Sequence, residues 1–326
     1  MCGICGFLRP TEGIELDGAI RKVTNTLRHR GPDDQGIWVD QDAGMALGHR
    51  RLSITELGPA GAQPMKSPCG RFVIAFNGEI YNHLALRDDL SVEGVALGWR
   101  GTSDTETLLA ALVHWGIRET LCRAQGMFAL AVWDRQAKKL HLARDRMGEK
   151  PLYLTRLSDG WAFGSELKAL LVAPGFEAKL CQDAVTSYLA YGYVPDTQCI
   201  FQNVRKISPG HVTTLSLVDA FDVTHPFQTF TDLVDKGLAT CSTSNPDKLA
   251  HLESTLGQVV EEQMLSDVPL GCFLSGGVDS SLIAALMQSR STLPVRTFAI
   301  GFSEERFNEA PHAAAVARHL GTEHTE

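Results

Sequence analysis

The sequence predicts two domains: an α+β domain whose sheets are covered by helices, followed by the opening of an α/β domain with a doubly wound parallel sheet. Three observations carry this. The length of 326 residues exceeds what one hydrophobic core usually organises. Up to about residue 200, short apolar runs bounded by Gly, Pro, Asn and Asp mix with patches of helical period. From Val268 the pattern becomes regular, running strand, tight turn, helix, strand, helix.

In chain order, Leu16 to His29 reads as a helix, and Val73-Ile74-Ala75-Phe76 as a strand that stops at Asn77-Gly78. Asp104 to Trp115 is a helix with Leu108, Leu109, Leu112 and Trp115 on one face and Ser103 or Asp104 as its cap. Met127 to Trp133 and Leu140 to Ala143 form a strand pair joined across Asp134-Arg135-Gln136. Ser165 precedes a helical run from Glu166 to Val172. Ser208-Pro209-Gly210 ends this texture, and Thr240 to Pro246 is polar and turn-rich, so a linker and a first helix are assigned to 216–250. That helix runs from about Asp247 to Met264. An apolar strand then ends at Leu274, Ser275-Gly276-Gly277 turns, and a helix opens near Asp279-Ser280. Thr297 to Phe302 is the next parallel strand; Asn308 to Leu320 is a helix with Ala310, Ala313, Ala314, Ala317 and Leu320 as buried positions. No internal repeat or low-complexity tract interrupts the chain.

A formal charge of −8 without a basic stripe argues against a nucleic-acid partner. No run approaches the roughly 18 apolar residues of a membrane span, and Arg9-Pro10 fall where a signal peptide needs its apolar core. The eight cysteines are scattered through a chain too large to need staples, which reads as reduced and cytoplasmic. Cys2 and Cys5 are spaced C-x-x-C, but no second pair follows at ligand spacing, so no metal site is assigned.

The chemistry starts at Cys2. Once Met1 is removed, thiol and α-amine sit on one residue, with reference pKa values of about 8.5 and about 7.7–8.0, so they can exchange a proton near neutrality. Arg28 to Asp34 is a turn loaded with charge, equally readable as a solvated loop or as site-shaping. Arg51, on a strand, suits a carboxylate. Asn77-Gly78 offers a side-chain amide beside an unhindered backbone N–H, two donors for an oxyanion, though Asn-Gly is also a common turn. Asp104 is a carboxylate at a helix start, where simple capping is the alternative. Together these suit an amino-acid amide: Cys2 attacks, Asn77 and Gly78 hold the oxyanion, Arg51 takes the α-carboxylate and Asp104 the α-ammonium.

Met1 to Ile4, Arg28 to Asp34, Arg51 to Ile54, Asn77 to Asn82, Ser103 to Glu106 and Ala143 to Asp145, in that order, resemble the glutaminase domain of glutamine-hydrolysing asparagine synthetases. The resemblance covers 2–215. It implies an N-terminal-nucleophile fold, an αββα sandwich, in which Cys2 hydrolyses glutamine to glutamate and ammonia. The family's glutamine contacts carry over onto Arg51, Leu52, Ser53, Ile54, Thr55, Asn77, Gly78, Glu79 and Asp104.

The glycine turn at Ser275 to Ser280 is shaped as a phosphate cradle at a helix N-terminus, although it lacks the lysine of a P-loop. It resembles the pyrophosphate loop of enzymes that split ATP between its α and β phosphates, which asparagine synthetases carry in their second domain. The resemblance assigns ATP contacts to Phe273, Leu274, Ser275, Gly276, Gly277, Asp279, Ser280 and Ile300, with Phe273 departing from the usual leucine. It implies ATP with substrate-bridging Mg²⁺, adenylation of aspartate, and displacement of AMP by internally carried ammonia. The expected partners are glutamine, aspartate and ATP, with a homodimer left open and neither nucleic acid nor membrane. The second domain, 251–326, is read as incomplete: a downstream Ser-Gly-x-Gly-x-Asp-Glu segment, a phosphate-side lysine and the strand after Glu326 are expected and not present. On that reading the chain alone makes no asparagine. Alternatives are an acceptor such as a sugar acid, glutaminase activity only, a non-catalytic remnant, and a β-lactam-forming relative, disfavoured by Cys2.

Overall fold

Strands buried on both faces lose the alternation of a half-exposed strand and read as continuous apolar runs. Gly3 to Leu8 is buried at every position, as is Phe128 to Asp134. The computed structural model describes residues 1–10, 15–95, 98–218, 221–240 and 248–326, and divides into units at Met1–Thr240 and Cys241–Glu326.

The first unit runs β1 (Gly3–Leu8), α1 (Leu16–Asn25), β2 (Asp34–Asp40), β3 (Met45–Arg51), β4 (Met65–Lys66), β5 (Phe72–Ile80), α2 (His83–Val92), α3 (Asp104–Trp115) and α4 (Ile117–Arg123). It continues with β6 (Gly126–Asp134), β7 (Lys139–Arg144), β8 (Tyr153–Arg156), β9 (Trp161–Gly164), α5 (Leu167–Leu171), α6 (Gln182–Tyr191), β10 (Val204–Lys206), β11 (His211–Ser216), β12 (Phe221–Pro226) and α7 (Phe230–Thr240). Two six-stranded sheets result, ordered β10-β8-β9-β1-β3-β2 and β12-β11-β7-β6-β5-β4, with antiparallel neighbours throughout.

Alternate side chains of each strand feed different layers. Ile4 and Leu8 of β1 meet Val73, Ala75, Ala131 and Trp133 in the core between the sheets. Cys5 and Phe7 point the other way, to Leu16, Ile20 and Val23 of α1 and to Ala169 and Leu170 of α5. On the far side, Ile74, Phe76, Leu130 and Val132 pack against Leu108, Leu109 and Leu112 of α3 and Leu121 of α4. This is the αββα sandwich.

Helix α1 ends at Asn25 rather than His29, because the chain tightens into turns: the Leu27 N–H reaches the Thr24 carbonyl (3.1 Å) and the Arg30 N–H that of Leu27 (2.9 Å). In 216–250, read as linker and first helix, β12 instead pairs along β11 and extends the second sheet, and α7 follows. The turn-rich tract at 241–247 lies outside the described residues.

The second unit contains α8 (Lys248–Gln263), β13 (Gly271–Phe273), α9 (Val278–Arg290), β14 (Arg296–Phe298), α10 (Ala310–Leu320) and β15 (Glu323–Thr325). Its sheet is parallel in the order β13-β14-β15. Leu274, Ala284, Ala313 and Ala317 form one small core, and Val260, Leu286, Met287 and Val295 another. Strand β14 is shorter than the apolar run Thr297–Phe302 predicts. The third strand, β15, corrects the expectation of two: Glu-His-Thr carries no apolar signal, and its pairing is reinforced by polar contacts, His324 Nδ1 and Thr322 Oγ1 lying 3.0 and 2.9 Å from Thr297 Oγ1. No helix among the described residues is long and apolar enough to cross a membrane.

Candidate active site

Cys2 stands directly before β1, which β9 and β3 flank in the first sheet. Its Sγ accepts the Leu52 N–H at 3.4 Å and lies 3.6 Å from the Leu52 carbonyl oxygen. Its own carbonyl accepts a hydrogen bond from Arg30 Nε at 2.8 Å. Arg30 is paired in turn with Glu166 at 3.0 Å, which also meets Lys168 (2.9 Å) and His29 (3.0 Å). Burial pushes Glu166 up, but Lys168, Arg30 and His29 outweigh it and hold the carboxyl down at about 2. Burial pushes the Cys2 thiol up, against the opposing pull of the Leu52 amide. The sulfur therefore needs a base to become a nucleophile.

Facing this cavity is the end of β5, where Asn77 pairs with Ala129 and Gly78 with Phe128 of β6. Asn77 is 1% exposed, and its Nδ2 has no hydrogen-bond partner among the described residues. A buried amide without an acceptor is costly unless something occupies that position in function. Gly78 is required sterically: a Cβ there would overlap the Met127 carbonyl oxygen and stand 2.7 Å from Phe128 Cα.

Arg51 ends β3. Its guanidinium donates to the carbonyls of Gly58 (3.1 Å), Thr55 (3.4 Å) and Glu56, so the loop that follows folds around it. Gly61 makes room, since a Cβ there would overlap the Arg51 Nη2. Among the described residues Arg51 makes no ion pair within 4.0 Å, which leaves its charge for a ligand. Asp104, first in α3, accepts the Ile80 N–H at 2.9 Å and the Thr105 hydroxyl at 3.3 Å; burial raises its pKa to about 6. Burial and the nearby Asp104 likewise raise Glu79.

These groups meet in one cavity of about 110 Å³. Cys2, Arg51, Leu52, Ile54, Thr55, Asn77, Gly78, Glu79 and Asp104 all line it. Ser53 does not; its N–H instead binds Asp33 Oδ2 at 2.8 Å. Sequence reasoning missed Met1, Gln63, Met127 and Lys150 in the wall, and Arg30 and Glu166 behind Cys2. Gln63 bridges two walls, accepting the Phe76 N–H (2.7 Å) and donating to Thr105 Oγ1 (3.2 Å). Only Arg30 had a signal, the charged turn at Arg28 to Asp34. The arrangement offers a nucleophile, a buried donor corner, two cations (Arg51 and Lys150) and two carboxylates, a set suited to an amide carried on an α-amino acid.

In the second unit, Phe273, Leu274, Ser275, Ser280 and Ile300 line a cavity of about 300 Å³. Gly276 and Gly277 of the same turn, and Asp279 at the start of α9, are not in that lining. Gly276 takes φ +81, and a Cβ there would come within 2.7 Å of His312 Cβ. Ser275 Oγ and Ser280 Oγ lie 2.9 Å apart across the turn, and α9 begins with no side-chain cap on its first N–H groups. The Ser275 and Gly277 N–H groups are bonded within the turn, to Ser280 Oγ (3.2 Å) and Ser275 Oγ (3.3 Å), so the donors offered to an anion are those of the uncapped first turn of α9.

Comparison with known proteins identifies the family. The sequence profile of the glutamine amidotransferase domain matches residues 1–227, and that of asparagine synthase matches 251–326. A provisionally named glutamine-hydrolysing asparagine synthetase of Mycobacterium tuberculosis is 35% identical over 99% of this chain and 51% of its own length. Glutamine-hydrolysing asparagine synthetase 1 of Bacillus subtilis is 34% identical over 99% and 49%. The chain thus spans about half the length of these curated relatives. In fold it is similar to the glutamine phosphoribosylpyrophosphate amidotransferase of B. subtilis, with a TM-score of 0.53 at 16% identity, covering 99% of this chain and 90% of that one.

Proposed function

The chain belongs to the glutamine amidotransferase family, and from that premise we propose that its first unit hydrolyses glutamine and that the ammonia amidates aspartate in an ATP-dependent asparagine synthesis. The unpartnered Asn77 amide, buried in the same cavity as Cys2, carries the reading.

With Met1 attached, the Cys2 nitrogen is an amide without basicity, and Met1 itself occupies part of the cavity wall. Removing Met1 frees the amine. The amine takes the thiol proton, and Sγ attacks the side-chain carbonyl carbon of glutamine. Asn77 Nδ2 and the Gly78 N–H receive the oxyanion. The protonated amine returns its proton to the leaving nitrogen, ammonia departs, and a thioester remains. Water, deprotonated by the same amine, attacks the thioester; glutamate leaves and the thiol is restored. Arg51 holds the α-carboxylate, and Asp104, beside Glu79, the α-ammonium.

For the second unit, the match to asparagine synthase and the uncapped start of α9 behind the Ser275–Gly277 turn support ATP binding. Phe273, Leu274 and Ile300 would flank the base, and the turn with Asp279 and Ser280 the phosphates. Mg²⁺ belongs to this reading as the nucleotide's companion, screening phosphate charge. Among the described residues no group of three His, Cys, Asp or Glu gathers to hold it, so its contacts would be mainly to phosphate. Aspartate adenylation, then attack by ammonia, would release asparagine, AMP and pyrophosphate. The described cysteines are free thiols, which suits a cytoplasmic protein.

The test is glutamate release from chain whose intact mass shows Met1 removed, beside Cys2→Ala and beside chain retaining Met1. Release that persists in Cys2→Ala, or that is undiminished with Met1 attached, would overturn the glutaminase mechanism. For the acceptor, the whole protein is assayed with aspartate and with sugar acids.

A further inference from the structure

Glu56 is a long, non-glycine residue at φ +53, in the left-handed region where glycine or asparagine costs least. It follows Thr55, which lines the cavity, and a strained backbone beside a site points to what the side chain does there. Its carboxylate accepts the Thr102 N–H at 2.8 Å and the Thr102 hydroxyl at 3.2 Å, and reaches its own loop at the Gly58 N–H (3.3 Å). The Thr102 amide leads the contacts that hold this carboxyl below its usual range, so it is ionised at neutral pH. Gly101 is needed beside it, because a Cβ there would overlap Glu56 Oε2.

The partner loop is a fixed post. Arg87 donates to the carbonyls of Gly101 and Ser103, both at 3.0 Å, and Glu106 accepts the Gly101 N–H at 3.2 Å. Ser103 then caps α3, accepting the Thr105 N–H at 3.2 Å, with Asp104 as the first helical residue. At its other end Glu56 acts through its backbone, whose carbonyl oxygen accepts from the Arg51 guanidinium. One residue thus touches both the Arg51 loop and the segment that delivers Asp104.

We propose that Glu56 is a positioning residue that ties the Arg51 loop to the start of α3 and thereby sets the separation between the groups receiving the two charged ends of an amino-acid substrate. It selects α-amino-acid amides over simple amides without touching the substrate. This rests on the glutaminase reading of the same cavity.

The test uses the Met1-processed full chain and two variants. Glu56→Gly removes the carboxylate and relieves the backbone; Glu56→Gln keeps an oxygen that can accept the Thr102 N–H. The expected result for Glu56→Gly is a KM for glutamine raised about tenfold, as one lost charge-assisted hydrogen bond implies, with kcat nearly unchanged and the folded state retained by circular dichroism. Glu56→Gln recovers part of the loss. Labelling of Cys2, followed by peptide mass spectrometry, separates recognition from reactivity. The amino-acid electrophile diazo-oxo-norleucine should label Glu56→Gly about tenfold more slowly, while iodoacetamide labels it at the wild-type rate. An unchanged KM and unchanged diazo-oxo-norleucine rate would overturn the proposal. So would an equal slowing with both reagents, which marks a general collapse of the site. If the wild type neither releases glutamate nor reacts with diazo-oxo-norleucine, the glutaminase reading fails first and this inference with it.

Discussion

Arg30 donates from Nε to the carbonyl oxygen of Cys2 at 2.8 Å, so the residue proposed as nucleophile is held by a cation that also pairs with Glu166. The contact fixes the backbone from which both the thiol and the α-amine project. Replacing Arg30 by Leu removes a charge-assisted hydrogen bond, a class worth about 1.5–3 kcal/mol. Glutamine hydrolysis should fall about 10–100-fold, mainly in kcat. Steady-state kinetics check this, and Arg30→Lys should restore little, since an ammonium cannot bond Cys2 and Glu166 in the same fork.

The Asn77 Nδ2 has no hydrogen-bond partner among the described residues, so its removal should cost little stability and much turnover. Asn77→Ala is expected to lower kcat for glutamine about 10²–10³-fold, the usual loss for one oxyanion donor, with KM nearly unchanged. A fall in KM-limited binding alone would count against an oxyanion role.

Gly78 has no room for a methyl group against Met127 and Phe128. In Gly78→Ala, β5 must shift from β6 at the position that aims the backbone N–H. The expected cost is about 1–3 kcal/mol of stability, read from urea unfolding, together with a loss of activity larger than that destabilisation explains.

Asp104 governs the pH response. Its folded pKa, raised by burial to about 6, lies above the ordinary 3.8, so the folded chain keeps the proton longer than the unfolded chain. The stability cost of ionising it is absent below the unfolded value and complete above about 6. Asp104→Asn should therefore stabilise the chain at pH 8, and the gain should vanish toward pH 4. Binding an α-ammonium needs the ionised form, so kcat/KM for glutamine should drop on acidification with an apparent pKa near 6. That limb should be missing from the much weaker Asp104→Asn enzyme.

Much of the site was legible because its residues sit in compact motifs at strand ends and at a helix start. Cys2, Arg51, Asn77, Gly78 and Asp104 were each assignable by residue chemistry, and they line one cavity. Ser53 was drawn in by its neighbours, but its N–H is held by Asp33 Oδ2 and it stays out of the cavity that Leu52 and Ile54 line. Gln63, Lys150 and Glu166 escaped notice because their roles come from contacts distant in sequence, such as the Glu166 to Arg30 pair 136 positions apart. The same holds for the fold. Long apolar strands such as β6 announced themselves; β12 and β15, edge strands held by backbone pairing and polar side chains, did not.

Met1 lines the cavity although it is 57% exposed, and β1 begins directly behind Cys2. An affinity tag fused ahead of Met1 would keep the Cys2 nitrogen locked in a peptide bond and so, under the proposed mechanism, deny the thiol its base. Purified that way, the protein would be inert in the assay, so a handle belongs at the opposite terminus.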